Sequence, residues 1–202
     1  LEQIRQLLNT QSVSISGLAG IGKTQLALEY AHRHYPNVYQ SVFWVNADNE
    51  ASLHGSYDEL AQKLQLPEHN EREQAKRIRA VMRWLEDHTN WLLIMDNADD
   101  LELARSFFPA AHHGHILLTT RSQIVGNIAR KIEIEAMEPE EGARFLVRRS
   151  RPLPVEDSPD TVVADMPEVA RQLVELLGEL PLALDQAGAY IEETGRSFDE
   201  YI

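Results

Sequence analysis

Cysteine is absent from the 202 residues, so the chain can form neither disulfides nor thiolate metal sites. That suits a reducing compartment, and we expect a cytoplasmic protein. No stretch approaches the roughly 18 apolar residues of a membrane-spanning helix, and no signal-peptide pattern is present, so no membrane partner is expected. Basic residues are scarce as well: 19 Lys and Arg stand against 32 Asp and Glu, a formal net charge of −13. A dominant surface for the backbone of DNA or RNA is thereby disfavoured. An acidic chain that binds a polyanion must do so locally, with a few well-placed donors. Internal repeats and low-complexity segments are missing too. What remains is ordinary for a globular protein, 43% hydrophobic and 25% charged, with length for one core plus a small satellite. Leu1 is not an initiator residue, which leads us to expect a piece of something longer.

Hydrophobic periodicity divides the chain in two. Leu1, Ile4, Leu7 and Leu8 share one helical face, and 12–16 reads as a short strand that feeds a glycine-rich loop. A helix is predicted over 23–35, with Leu26, Ala27, Tyr30 and Ala31 on one stripe. Residues 41–46 (SVFWVN) form an apolar strand. Two helical patterns follow, on Leu53, Tyr57, Leu60, Ala61 and Leu64 and then on Ala75, Ile78, Met82 and Leu85. Residues 91–95 are a wholly apolar strand that ends at Asp96, and strands at 115–120 and 131–134 complete a set of five. Buried strands alternating with helices indicate an α/β fold with a parallel sheet covered on both faces. We expect a five-stranded sheet in the order 2-3-1-4-5 within residues 1–135. After Glu135 only helical patterns remain, at 139–149, 166–177 and 181–193, and residues 136–202 are expected to form an incomplete helical lid. Asp165 with Glu168 resembles a capping box, Gly178 is placed to stop that helix, and Pro181 suits a first helical position. Residues 150–161, with Pro152, Pro154 and Pro159, read as a linker.

The segment Gly17-Leu18-Ala19-Gly20-Ile21-Gly22-Lys23-Thr24 fits G-x-x-x-x-G-K-[ST]. Its glycines let backbone N–H groups turn inward around the α- and β-phosphates, and the following helix contributes its positive N-terminal end. Lys23 would reach the β- and γ-phosphates, and the Thr24 hydroxyl would complete a Mg²⁺ shell. Average composition produces such a match in roughly one chain in a hundred. Here it follows a strand and opens a helix, the context that the chemistry requires. A purine nucleoside triphosphate with Mg²⁺ is therefore the expected ligand. Gly17, Gly20, Ile21, Gly22, Lys23, Thr24 and Gln25 are its candidate binding residues.

Asp96 closes the apolar strand at the edge where α/β ligands bind and could hold Mg²⁺ through water. Taken alone it would pass for a turn residue; beside a phosphate loop the metal role fits better. Asn97 follows where a second acid could serve as a base for water. An amide cannot take a proton, so hydrolysis is expected to be slow, or Asp99 serves instead.

Other features are read conservatively. His112, His113 and His115 cluster before a strand, but no Asp or Glu lies within three residues of them, which favours a surface loop over a metal site. His32 and His34 cannot share a helix face. Arg72, Lys76, Arg79 and Arg83 form a basic stripe of the kind usually solvated, with a docking face as the lesser reading. Trp44, Trp84 and Trp91 are expected in the core.

Taken together, GLAGIGKT, FWVNA (43–47), LLIMDNADD (92–100), ILLTTRS (116–122) and ELPLAL (179–184) resemble NB-ARC domains, in order and in spacing. These are the nucleotide switches of STAND-class, NLR-like signalling ATPases, found in apoptosome adaptors, plant disease-resistance receptors and bacterial and fungal regulators. The FWVNA and DNADD wording is most similar to the branch whose C-terminal sensor is a tetratricopeptide array. The resemblance covers essentially the whole chain, and five motifs in order are specific where any one is weak. It implies that Arg121 is the sensor arginine contacting the γ-phosphate and that Pro181 packs near the adenine. Chemically, a guanidinium at a strand's C-terminal edge suits a terminal phosphate; without the resemblance Arg121 would read as a surface residue. Three departures stand out. The first Gly of the family's G-L-P-L-A is Glu179 here, a V-G-R segment before the first helix is missing, and so is the winged-helix region with its M-H-D motif.

The reading is a nucleotide-dependent switch with slow Mg²⁺-dependent ATP hydrolysis. Its partners would be the other domains of the full-length protein and, in the ATP state, further copies of itself. Two rivals survive: a nucleotide-binding scaffold that never hydrolyses, motivated by Asn97, and a nucleic-acid motor or loader ATPase, against which the charge of −13 argues. A small-molecule kinase is weaker, since no Arg-rich lid is visible.

Overall fold

The computed structural model describes residues 1–10, 12–111, 113–150 and 168–202. The linker expected at 150–161 therefore lies almost wholly outside the described residues, as do Asp165 of the expected capping box and His112. Two compact units are present: Leu1–Leu18 with Lys23–Ile134, and Ala19–Gly22 with Glu135–Ile202.

The first unit is a five-stranded parallel sheet between helices. Its strands are β1 (Val13–Ser16), β2 (Ser41–Asn46), β3 (Thr89–Asp96), β4 (His113–Thr120) and β5 (Arg130–Glu133). Alternation along β3 divides the core. Trp91, Leu93 and Met95 point to one face, where they meet Leu53, Tyr57 and Leu60 of α3 (Glu50–Lys63) and Ile78, Val81 and Leu85 of α4 (Gln74–Asp87). Leu92 and Ile94 point to the other, against Ile4 and Leu8 of α1 (Glu2–Leu8) and Ala27, Tyr30 and Ala31 of α2 (Lys23–His34). Helix starts follow local chemistry: the Asn49 side chain accepts from the Ser52 amide to cap α3, and Asp100 caps the short α5 (Leu101–Arg105) through the Leu103 amide.

The strand order is 2-3-4-1-5, which corrects the expected 2-3-1-4-5. The reason lies in strand length. β3 and β4 have eight residues each, whereas β1 and β5 have four. A short β1 between the long pair would leave buried N–H and C=O groups of β3 and β4 without ladder partners. Instead β4 lies beside β3, with Met95 opposite Leu118, and β1 pairs β4 and β5, with Ile15 opposite both Thr119 and Ile132. The edge strand β2 also corrects the placement of Trp44, which is 37% exposed, while Trp91 is fully buried and Trp84 only partly.

The second unit contains α6 (Pro139–Ser150), α7 (Glu168–Leu176), α8 (Pro181–Thr194) and α9 (Phe198–Tyr201), around a core that includes Leu146, Leu173, Val174, Leu184 and Ile191. Between α7 and α8 the chain turns at Gly178 (φ 67°) and Glu179 (φ 59°). The family's glycine at the second of these positions has a plain cause, because a left-handed backbone costs a residue with a Cβ about 1–2 kcal/mol. Glu179 adopts that conformation all the same, with its N–H on the Val174 carbonyl and its own carbonyl accepting from the Met137 amide.

Candidate functional site

β1 is buried along its whole length and delivers the chain into the loop 17–22, where Gly17, Gly20 and Gly22 all have positive φ (152°, 77° and 99°). Around Gly22 there is room for a methyl group, so conformation alone demands glycine there. Lys23 is the first residue of α2, and its Nζ folds back to donate to the carbonyls of Gly17 (2.9 Å) and Leu18 (2.7 Å). Its ammonium is thus held over the loop's crown. Burial pushes it below the ordinary lysine range, with Asp99 and Asp96 pulling the other way and Arg121 adding to the fall. Asp96, Asp99 and Arg121 are thus all within electrostatic reach of the Lys23 ammonium. Gln25, one turn into the helix, is exposed, whereas Ile21 is buried.

Asp96 ends β3 almost completely buried, and its Oδ1 accepts from the Thr24 hydroxyl at 2.9 Å. The two residues expected to share a metal ion are therefore neighbours, and both offer oxygen, the donor type that Mg²⁺ takes. Thr119 was not anticipated. Its hydroxyl donates to the same Asp96 oxygen (2.5 Å) and accepts from the Asn97 amide (3.0 Å). The available signal was a polar residue closing an otherwise apolar strand, but only the adjacency of β4 and β3 shows what it touches. Asn97 has φ 61°, a left-handed conformation in which Asn is among the best-tolerated non-glycine residues.

Asp99 and Arg121 are brought together as a pair. Asp99 Oδ2 accepts from Arg121 Nε (2.6 Å) and forms an ion pair with Nη2 (2.5 Å). Its Oδ1 accepts from the Arg121 amide (2.7 Å) and the Thr120 hydroxyl (3.1 Å). Burial alone would raise the Asp99 carboxyl. The Arg121 amide and guanidinium and the Thr120 hydroxyl outweigh it and hold the group below the usual aspartate range. A carboxylate so committed is a weak base, which removes the reason for offering Asp99 as a substitute for Asn97.

Pro181 belongs to the second unit, where it opens α8, and the next amide, Leu182, donates to the Gly20 carbonyl at 3.2 Å. His113 and His115 lie within β4 rather than in a loop, and the His115 ring shares a 2.7 Å hydrogen bond with the Tyr39 hydroxyl. Acidic neighbours partly neutralise the basic face of α4: Arg83 pairs with Glu68, and Lys76 with Glu71 and Glu73.

The NB-ARC domain family matches residues 1–152, three quarters of the chain and all of the motifs that form the phosphate loop and its carboxylates. The chain belongs to the NB-ARC family. It is a P-loop nucleotide-binding domain. A nucleotide-binding leucine-rich repeat (NLR)-like protein of Hyaloscypha variabilis is 29% identical over the full chain, which spans only 23% of that protein's length. Among solved structures, a STAND protein with a tetratricopeptide repeat sensor from Pyrococcus horikoshii matches 90% of the chain and 27% of its own, with a TM-score of 0.53 and 20% identity. Cdc6p from Pyrobaculum aerophilum matches 96% of the chain and 62% of its own, with a TM-score of 0.60 and 16% identity. At those identities the two structures attest the fold. No helix among the described residues of this NB-ARC domain is long and apolar enough to cross a membrane.

Proposed function

We propose that this NB-ARC domain binds ATP and ADP with Mg²⁺ and hydrolyses ATP slowly, as the nucleotide switch of a longer signalling protein. The observation that carries the reading is the 2.9 Å contact between the Thr24 hydroxyl and Asp96 beneath a loop that Lys23 crowns. In this reading Gly17, Gly20, Ile21, Gly22 and Gln25 surround the phosphates, Lys23 neutralises the β- and γ-oxygens, and Thr24 and Asp96 hold Mg²⁺. Bound Mg²⁺ would neutralise charge on the terminal phosphates. Arg121, exposed at the end of β4, is the group that distinguishes a γ-phosphate from its absence. Pro181, in the helical unit over residues 136–202, packs near the adenine by analogy with the family. Slow turnover follows from Asn97, which cannot accept a proton, and from Asp99, whose carboxylate is already paired. Nucleotide identity would then bias a bistable protein between a closed ADP state and an open ATP state that self-associates. The relatives' lengths make room for sensor and effector domains, and the motif wording favours a tetratricopeptide sensor.

Titration of the domain with Mg²⁺-ATP and Mg²⁺-ADP, beside a single-turnover measurement of phosphate release, tests the reading. Wild type is expected to bind both nucleotides and to release phosphate at well under one per second, against a typical enzyme median of about 10 s⁻¹. Lys23→Ala is expected to abolish detectable binding while circular dichroism stays unchanged. Retained affinity in folded Lys23→Ala would sink the phosphate-loop assignment, and turnover of many per second would sink the slow switch.

A further inference from the structure

We propose that Asp99 is a positioning residue for nucleotide discrimination, holding the Arg121 guanidinium so that its remaining N–H groups face a γ-phosphate. This rests on the reading of Arg121 as the γ-phosphate sensor.

A long exposed arginine lacks restraint. Its side chain has four rotatable bonds and about 2 kcal/mol of rotamer entropy, so an unrestrained guanidinium surrenders much of its binding energy when it is ordered. Arg121 is 67% exposed, yet its backbone amide and Nε both donate to one carboxylate, and its Nη2 lies in ion-pair contact with the same group. Nε and Nη2 meet Oδ2, and the backbone amide meets Oδ1. The Thr120 hydroxyl joins at Oδ1 and itself accepts from the Ser122 amide, so the first residues after β4 are stapled to the turn after β3. A guanidinium has five donors in a planar fork. Engagement of Nε, with Nη2 in ion-pair contact with the same oxygen, leaves both Nη1 hydrogens for a ligand oxygen. β3 and β4 run parallel, so the pair, which follows their C-terminal ends, lies on the same sheet edge as Asp96 and the Thr24 hydroxyl that contacts it.

The alternative is a latch, in which Asp99 competes with the γ-phosphate for Arg121. Geometry favours positioning. Release of the guanidinium would leave a partly buried carboxylate without its counter-charge close to a phosphate, while the Oδ1 contacts to Thr120 and the Arg121 amide would still hold that carboxylate in place.

The two readings predict opposite signs. Titration calorimetry with Mg²⁺-ATP and Mg²⁺-ADP is run on wild type, Arg121→Ala, Asp99→Asn and the double variant. Positioning predicts that Arg121→Ala and Asp99→Asn each lower the ATP-over-ADP preference about tenfold, which is about 1.4 kcal/mol. ADP affinity stays near wild type, and the double variant falls no further than Arg121→Ala. Asp99→Glu, which keeps the charge, recovers part of the preference. Asp99→Ser is carried alongside so that a folding defect peculiar to one substitution cannot decide the outcome. An unchanged or raised preference in the Asp99 variants, with Arg121→Ala still lowering it, overturns positioning and leaves the sensor intact. Equal loss of ATP and ADP affinity would make Asp99 merely structural. No effect of Arg121→Ala would overturn the sensor reading, and the proposal with it.

Discussion

Thr119→Val replaces one hydroxyl by a methyl at a fully buried position and should damage both stability and metal-dependent binding. The hydroxyl donates to a charged acceptor, Asp96 Oδ1, at 2.5 Å and accepts from the Asn97 amide at 3.0 Å. A hydrogen bond to a charged group contributes about 1.5–3 kcal/mol, and its loss leaves Asp96 with the Thr24 hydroxyl as its remaining side-chain donor. The Asn97 amide loses a neutral acceptor in a part-buried hydrogen bond, which adds less than the charged one. A total of about 2–3 kcal/mol follows. For a domain of this size that is a fall in Tm of roughly 4–12 °C. Thr119→Ser keeps the hydroxyl and loses one methyl, worth about 0.8 kcal/mol. The assay is thermal unfolding followed by circular dichroism, with calorimetric titration of ATP in Mg²⁺ and in chelator. Thr119→Val is expected to weaken Mg²⁺-ATP about tenfold, since a carboxylate free to rotate no longer presents its oxygen to the ion, and to leave metal-free binding nearly unchanged. Stability within about 0.5 kcal/mol of wild type together with normal Mg²⁺-ATP affinity would refute the reasoning. So would a Thr119→Ser variant as impaired as Thr119→Val.

Asp96→Asn should weaken Mg²⁺-ATP far more than metal-free nucleotide, and an equal drop with and without Mg²⁺ in the same titrations would make Asp96 structural. Gly114→Ala should destabilise by about 3 kcal/mol or more in guanidinium unfolding. Its new Cβ would lie 2.1 Å from Cδ2 of Trp91, whose ring is fully buried and whose Nε1 donates to the carbonyls of Leu85 (2.9 Å) and His88 (3.0 Å). A cost below about 1 kcal/mol would mean that the indole can move, contrary to this packing.

Local chemistry was enough to determine which segments form strands and how the glycine-rich loop turns. An apolar run such as 91–95 must be buried wherever it lies, and G-x-x-x-x-G-K-T shapes its own loop, because positive φ and inward N–H groups are properties of the glycines themselves. The ending of β3 at Asp96 was legible for the same reason. Neighbourhood across the sheet was not. The order 2-3-4-1-5 depends on matching strand lengths, a comparison between segments that no single segment reveals. From that order come the Thr119 contact to Asp96 and the Asp99 pairing with Arg121, each joining residues more than 20 positions apart. Trp44 shows the same limit from the other side. Its strand reads as core by composition, but in the edge strand β2 only Phe43 and Val45 reach the core on one face, and Trp44, on the opposite face, is 37% exposed. Periodicity reports which residues avoid water; which pairs then meet is decided by the packing that covers them.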